Sequence, residues 1–179
     1  MSTTGLILHL DGDRKYSEKA YKYYKKNKLN AIVENVLESW QPRVVYKMLE
    51  HYKPDIIIIT GHDAMIRPNM KYHDIYNYRN SKYFIQTVKN VREFDKSYNK
   101  NTVVIAGACQ SYYEALIIAG ANFASSPARI LIDYLDPIII AEKISLTDYY
   151  KYVTIDDVSD LLRDGKKGMG GIGANGKKR

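Results

Sequence analysis

Short apolar runs alternate with stretches of helical periodicity along this 179-residue chain. Continuous apolar runs are typical of buried strands, whereas apolar positions three and four residues apart indicate amphipathic helices. By these patterns we predict strands over residues 5–10, 31–33, 55–60, 102–106 and 122–126. We predict helices over residues 15–28, 44–52, 81–97, 110–119, 136–144 and 155–163, with a polar loop over 61–80.

The order of these elements predicts the fold class. Strands this apolar are usually covered on both faces, and strands separated by helices pair in parallel. We therefore expect an α/β protein, a three-layer sandwich with a mostly parallel central sheet. We place one domain over residues 1–164. Residues 165–179 hold six of the eleven glycines and little apolar content, which predicts a flexible, basic, glycine-rich C-terminal tail.

The formal net charge of +7 is concentrated in two places. Residues 14–28 carry net +6 and residues 163–179 carry net +5, so the rest of the chain is net −4. A basic patch and a basic tail around an acidic body are weak signs of nucleic-acid binding. No apolar run reaches the ~20 residues of a membrane span, and no basic segment precedes the first apolar run as in a signal peptide. We therefore expect neither a membrane nor a nucleic-acid partner.

The single cysteine, Cys109, excludes an internal disulfide and a multi-cysteine zinc site. No other ligand spacing is convincing, so we expect no metal and no cofactor. Cys109 follows the apolar strand 102–106, and His62 follows the apolar strand 55–60. Because functional residues cluster beyond the carboxyl ends of parallel strands, we expect these two side chains to lie close together.

A thiol beside an imidazole is a nucleophile arrangement. The imidazole can take the thiol proton and later protonate the leaving amine. The start of the predicted helix 110–119 would place amide donors near the Cys109 sulfur, favouring the thiolate. Gly61 and Gly107 would allow a ligand to approach the backbone. A lone cysteine is otherwise most often a small buried apolar residue, but the histidine at a matching strand end favours a Cys109–His62 dyad.

Several ungapped segments resemble one peptidase family. An apolar strand ending in histidine, followed 47 residues later by Ala-Cys after a second strand, resembles the caspase–clostripain-like cysteine peptidases. More specifically, the chain resembles the sporulation-specific peptidase YabG family from about residue 6 to its end. The segments that carry this resemblance are residues 8–13, 58–64, 78–84, 106–111 and 120–127.

The resemblance implies a caspase-like fold and a cysteine endopeptidase that works through a thioester acyl-enzyme. It implies processing of spore coat and other sporulation proteins after basic residues, chiefly arginine, in the mother-cell cytoplasm with association to the spore coat. Carried onto this chain, Cys109 is the nucleophile and His62 the general acid/base. Caspase-like enzymes usually have glycine directly after the histidine; here Asp63 stands there, so the oxyanion-hole candidates are the backbones of Gly61, Asp63 and Cys109. The chain lacks the N-terminal segment of full-length family members, so we expect a catalytic domain or a processed form.

A preference for basic side chains requires a carboxylate in the substrate pocket. In caspase-like enzymes the loop after the first strand helps to line that pocket, and Asp11 and Asp13 occupy this loop. Asp13 is alternatively the N-cap of helix 15–28 and Asp11 a turn residue, Asp63 is alternatively a residue that orients the dyad, and Asp136 is a weaker pocket candidate. By the same resemblance the strand at 122–126 runs beside the substrate. The substrate-binding candidates are Asp11, Asp13, Asp63, Gln110, Ser125 and Ser126.

Two alternative functions stay open at this point. A non-proteolytic α/β cysteine hydrolase of the amidotransferase type would place its histidine after the cysteine, whereas all four histidines of this chain precede Cys109. A non-enzymatic module would bind spore-coat components or polyanions through the basic stretch and tail, and its binding would weaken with salt. The sequence does not decide the oligomeric state.

Overall fold

A six-stranded sheet forms the centre of the computed structural model, which describes residues 3–179; the first two residues of the predicted domain lie outside it. The strand order is β2-β1-β3-β4-β5-β7, with the first five strands parallel and β7 antiparallel to β5. The strands of this sheet are β1 (Ile7–Asp11), β2 (Ala31–Asn35), β3 (Ile56–Thr60), β4 (Val103–Ala106), β5 (Phe123–Ser125) and β7 (Met169–Gly171). A separate two-stranded ribbon pairs β6 (Tyr152–Val153) with β8 (Ala174–Asn175).

Helices cover both faces of the sheet, which confirms the predicted three-layer α/β class. They are α1 (Arg14–Lys26), α2 (Gln41–Tyr52), α3 (Ser81–Tyr98), α4 (Tyr113–Ala119) and α5 (Leu135–Leu146). One core lies between the sheet and helices α1 and α5, and the other lies between the sheet and helices α2, α3 and α4. The strands β1 and β3 are wholly buried because apolar side chains point into both cores.

The register of the parallel strands places the predicted chemistry at one edge. Asp11 aligns with Thr60 across β1 and β3, and Ile59 aligns with Ala106 across β3 and β4. The chain therefore leaves the three central strands at the same level. The residues that follow β1, β3 and β4 share the carboxyl edge of the sheet, as expected for a ligand site in this class of fold.

Most predicted elements are confirmed, with small shifts at their ends, but two helices differ. The segment 155–163 forms two short 3₁₀ helices, Ile155–Asp157 and Ser159–Leu161. The helix predicted over 110–119 begins only at Tyr113. Gln110 adopts a left-handed φ of 57°, and the Ser111 hydroxyl accepts the Ala108 amide, so this stretch is a turn.

The C-terminal segment differs from the flexible tail expected over 165–179. Met169–Gly171 pairs with β5, and Met169 is completely buried. Gly171 has φ +156, and a side chain there would collide with the carbonyl of Asn122. The glycines of this segment therefore allow two backbones to pack closely. The strand is held by backbone hydrogen bonds, so it lacks the apolar side chains by which a strand is recognised in sequence.

Within the described range, no helix is both long and apolar enough to cross a membrane.

Candidate active site

Cys109 and His62 line one cavity at the carboxyl edge of the sheet. The cavity has a volume of about 120 Å³ and lies on the side covered by α1 and α5. Its lining consists of Asp11, Tyr16, Thr60, Gly61, His62, Ala108, Cys109, Ile132, Tyr134 and Pro137. The pairing of β3 with β4 therefore places the thiol and the imidazole on the same cavity.

Asp13 is the side-chain partner of His62. Asp13 Oδ2 lies 2.6 Å from His62 Nε2, while Asp13 Oδ1 accepts the Tyr16 amide at 2.8 Å as the N-cap of α1. Partial burial disfavours the charge of this carboxylate, but the hydrogen bonds from Tyr16 and His62 outweigh it and lower the pKa of Asp13. One oxygen of Asp13 thus caps α1, and the other holds His62 Nε2 in place.

The sulfur of Cys109 contacts the loop that precedes α5. Sγ accepts the Ile132 amide at 3.4 Å and lies 3.8 Å from the Ile132 carbonyl oxygen. Since α4 starts four residues after Cys109, the amide beside the sulfur comes from this loop and not from a helix N-terminus as we expected. Cys109 is half-buried, which leaves the thiol accessible from the cavity.

A buried glutamate that sequence analysis missed holds the backbone next to His62. Glu38 is 6% exposed, and its Oε2 accepts the His62 amide at 2.7 Å. A side chain on Gly12 or Gly61 would collide with the Glu38 carboxylate. We expected a ligand to approach the backbone at Gly61. In the structure, the Glu38 carboxylate of the protein itself takes up part of that space. No local pattern marks Glu38, because its partners lie in two distant loops.

The three backbone oxyanion candidates are not equivalent in position. Gly61 and Cys109 line the cavity, whereas Asp63 does not. The Asp63 side chain is 7% exposed and turns into the protein on the other side of the loop. Of the three candidates, Gly61 and Cys109 are therefore the two that border the cavity.

Asp63 organises a buried hydrogen-bond network instead of orienting His62. Its Oδ2 accepts the hydroxyls of Ser81 at 2.5 Å and Ser111 at 2.7 Å, and its Oδ1 accepts the amides of Asn80 at 2.7 Å and Ala64 at 2.9 Å. Burial raises the pKa of Asp63, while these four donors oppose the rise. The network ties the His62 loop to the start of α3 and to the turn after Cys109.

Replacing Asp63 by alanine should destabilise the fold by about 2–4 kcal/mol, because it leaves buried donors without an acceptor. The free energy of unfolding in urea measures this loss. The exposed aspartate Asp160 provides a matched control, and Asp160→Ala should leave the unfolding free energy unchanged. A loss of less than about 0.5 kcal/mol for Asp63→Ala would mean that the network does not stabilise the loop.

Asp11 is the carboxylate that faces the cavity. It is 5% exposed; its Oδ1 accepts the Asp13 amide at 2.8 Å, and its Oδ2 lies 3.7 Å from His9 Nε2. His9 is itself buried, with Nδ1 2.7 Å from the hydroxyl of Tyr24. Asp11 therefore has one oxygen held by the β1–α1 loop and the other available beside the cavity.

The remaining substrate-binding candidates lie away from the cavity. Gln110 Oε1 accepts the Met65 amide. Ser125 and Ser126 are buried and bond Met169 and the Ile130 carbonyl, respectively. Backbone pairing with β7 and Gly168 also occupies this edge of β5, so the structure does not leave it open as the expected groove.

Asp136, the weaker pocket candidate, is buried just outside the cavity lining. Its Oδ1 accepts the Arg163 amide at 3.2 Å, and within residues 3–179 its Oδ2 has no hydrogen-bond partner. Burial raises the pKa of Asp136. Its neighbour Pro137 lines the cavity, so Asp136 lies behind this wall.

Arg129 fixes the loop that reaches Cys109. The sequence patterns did not indicate this role of Arg129. Its guanidinium donates to both carboxylate oxygens of Glu114, at 2.9 and 2.8 Å, and to the hydroxyl of Tyr78 at 2.8 Å. The hydrogen bond from Arg129 lowers the pKa of Glu114. Arg129 therefore anchors the segment that carries Ile132 to the Cys109 sulfur.

In the part of the chain described, no cluster of three or more His, Cys, Asp or Glu side chains could hold a metal ion.

Fold and site together define an α/β protein with a cysteine and a carboxylate-oriented histidine on one cavity. The family model described as YabG peptidase U57 matches residues 1–179, and the chain belongs to this family. The chain is 40% identical over 172 residues to the sporulation-specific protease YabG of Bacillus subtilis (strain 168). This match covers 96% of the chain and 59% of the relative's length.

Two of the solved structures that match this chain contain receiver domains. The receiver domain of the histidine kinase CKI1 from Arabidopsis thaliana, complexed with Mg²⁺, has a TM-score of 0.46 and 16% identity, with 78% of this chain and 90% of that chain covered. A co-crystal structure of Saccharomyces cerevisiae Ypd1 with the receiver domain of Ssk1 gives a TM-score of 0.48 and 9% identity, covering 72% and 81%. Both TM-scores lie below 0.5.

Proposed function

We propose that this chain is a cysteine endopeptidase of caspase-like architecture that cleaves sporulation proteins after arginine. The observation that carries the proposal is the shared cavity: a half-buried thiol and an imidazole held by Asp13 line it together. Family membership and the name of the B. subtilis relative support a protease acting in sporulation. Spore coat proteins as substrates, and a mother-cell location with association to the coat, are part of the proposal.

The geometry supports a thioester mechanism. His62 accepts the thiol proton of Cys109, and Sγ attacks the carbonyl carbon of the scissile peptide. The backbone amides of Gly61 and Cys109 stabilise the oxyanion that forms. His62 then protonates the leaving amine, and a thioester remains on Cys109. Water, deprotonated by His62, hydrolyses the thioester and releases the carboxyl product together with the free thiol.

Asp13 has the position to keep His62 productive throughout this cycle. An anionic carboxylate at Nε2 fixes the ring orientation and stabilises the imidazolium formed during attack. Asp13→Ser should lower kcat by about 10²-fold while changing KM little, because orientation of the base matters most in the chemical step. Steady-state kinetics with an arginyl fluorogenic peptide measure both constants.

Serine is the informative replacement at position 13, since it retains a good N-cap for α1 and removes the partner of His62. The melting temperature of Asp13→Ser should therefore stay close to that of the unchanged protein. An unaltered kcat would rule out the orienting role of Asp13. If the melting temperature were much lower, the loss of activity would come from destabilisation of α1.

Asp11 is the candidate we favour for recognising the arginine side chain. Asp13 is bonded to His62, and Asp63 is bonded within its buried network. Asp136 lies behind the cavity wall at Pro137, whereas Asp11 lines the cavity itself. A carboxylate there can accept a charge-assisted hydrogen bond from a guanidinium.

Asp11→Asn should therefore lower kcat/KM for an arginyl peptide by about 10- to 100-fold, the value of one charge-assisted hydrogen bond. It should change cleavage of a citrulline analogue, which lacks the charge, far less. Asp136→Asn is the matched control and should preserve the preference for arginine over citrulline. If Asp136→Asn removes the preference and Asp11→Asn does not, the pocket carboxylate is Asp136.

A further inference from the structure

Four exposed lysines form a continuous stripe on α1, which we call the lysine ridge. The lysine ridge consists of Lys15, Lys19, Lys22 and Lys26. Spacings of four, three and four residues place them on one helix face. The buried residues of α1, Ser17, Ala20 and Tyr24, lie on the opposite face and anchor the helix to the core. The ridge therefore points directly to solvent.

The lysine ridge begins beside the cavity. Lys19 Nζ lies 5.4 Å from the ring centroid of Tyr16 and 5.4 Å from that of Tyr134, and both tyrosines line the cavity with Cys109. The N-cap of α1 is Asp13, the partner of His62. The ridge thus starts next to the candidate dyad and runs away from it along the helix axis.

Local electrostatics of α1 oppose this arrangement. Lysines four residues apart repel each other on a helix, and cations in the first turn face the positive end of the helix dipole. The first turn of α1 contains no acidic residue, while Arg14 and Lys15 are there. The one acid of the helix, Glu18, lies off the ridge and pairs with Arg14 at 3.5 Å. Among the four ridge lysines the helix dipole favours only Lys26, which lies in the last turn, so helix stability does not account for the ridge as a whole.

We propose that the lysine ridge docks an acidic segment of the protein substrate that flanks the scissile bond. This inference rests on the proposed endopeptidase function and adds a substrate class to it: an arginine site accompanied by an acidic tract. At 1.5 Å per helical residue, the ridge is about 16 Å long. An extended peptide rises about 3.3 Å per residue, so a tract of about five residues matches the ridge.

Charge distribution favours an acidic peptide over a longer polyanion. Outside residues 14–28 the chain carries 20 basic and 19 acidic side chains, so a duplex or a vesicle surface that extends beyond the ridge would meet a nearly neutral protein surface and gain little further attraction. A peptide threaded through the cavity is delivered to the first lysines of the ridge without crossing that surface. The occupant of the ridge is therefore part of the same chain that is cleaved.

A pair of peptides tests the docking site. Both contain the same arginine site, and an acidic tract of five residues in one is replaced by glutamines in the other. The acidic peptide should show a KM about tenfold lower at low salt with the same kcat, and the advantage should fall below about twofold at 0.5 M salt. Replacing Lys15, Lys22 and Lys26 together by glutamine should remove the advantage and leave cleavage of the neutral peptide unchanged.

Three exposed lysines on the other side of the sheet provide the matched control. Replacing Lys89, Lys96 and Lys100 by glutamine removes the same charge and should preserve the advantage. An equal loss in both triple variants, or equal KM values for the two peptides in the unchanged protein, would overturn the docking site.

Fluorescence anisotropy of labelled peptides with Cys109→Ala protein separates docking from catalysis. Ridge-dependent binding of the acidic peptide supports the docking site even if no peptide is cleaved, in which case the endopeptidase proposal alone fails. Equal binding of both peptides, or ridge-dependent binding of duplex DNA or of anionic phospholipid vesicles that is tighter than that of the acidic peptide, would contradict it.

Discussion

Cys109→Ala protein is expected to lose cleavage of arginyl peptides by at least about 10⁴-fold, because removal of the nucleophile ends covalent catalysis. The fold should persist, since the Cys109 side chain makes only weak contacts with the Ile132 backbone. Steady-state turnover of a fluorogenic arginyl peptide measures the loss, and thermal unfolding measures the fold. Folded Cys109→Ala protein that still cleaves the peptide would refute the thioester mechanism.

Cys109→Ser is a stricter test than Cys109→Ala, because it keeps a side chain of nearly the same shape and replaces only the thiol by a hydroxyl. The hydroxyl is a far poorer nucleophile without a base matched to it, so this variant should also be nearly inactive. A non-enzymatic module would behave differently: both variants would retain its ligand binding, and the unchanged protein would show no turnover.

His62→Ala is expected to lower kcat by about 10³-fold through loss of the general acid and base. His51 is an exposed histidine on α2 far from the cavity, and His51→Ala should retain full activity as the matched control. A His62→Ala variant with unchanged kcat would assign the base to another residue.

The sheet and the position of His62 and Cys109 on one cavity follow from local sequence patterns. Runs such as Ile56–Thr60 are typical of buried strands, and parallel pairing then brings the strand ends to one edge. Asp13 was predicted as a helix cap or a pocket residue; its bond to His62 depends on the exact path of two loops. Asp63 adjoins His62 in sequence but its side chain turns the other way.

Long-range packing accounts for what the patterns did not reveal. Glu38 reaches the His62 backbone only because Gly12 and Gly61 leave room for its carboxylate, and these three residues are far apart in the chain. The β7 strand pairs through its backbone, so its glycines gave the signature of a flexible tail. Hydrophobic periodicity indicates which side chains face a core. It therefore does not reveal a carboxylate held between distant loops or a strand that pairs mainly through its backbone.

Active-site labelling tests the central claim, that Cys109 and His62 form an arginine-directed dyad, most directly. The reagents are an arginyl acyloxymethyl ketone and its norleucyl counterpart, and mass spectrometry identifies the modified residue and the rate of modification. Because Cys109 is the only thiol, the informative quantities are the preference for arginine and the dependence on His62.

The dyad predicts one adduct on Cys109, formed much faster with the arginyl reagent, slowed in Asp13→Ser protein and nearly absent in His62→Ala protein. Equal rates with both reagents together with full labelling of His62→Ala protein would contradict the account, because Cys109 would then be an accessible thiol without a catalytic base or a pocket for arginine.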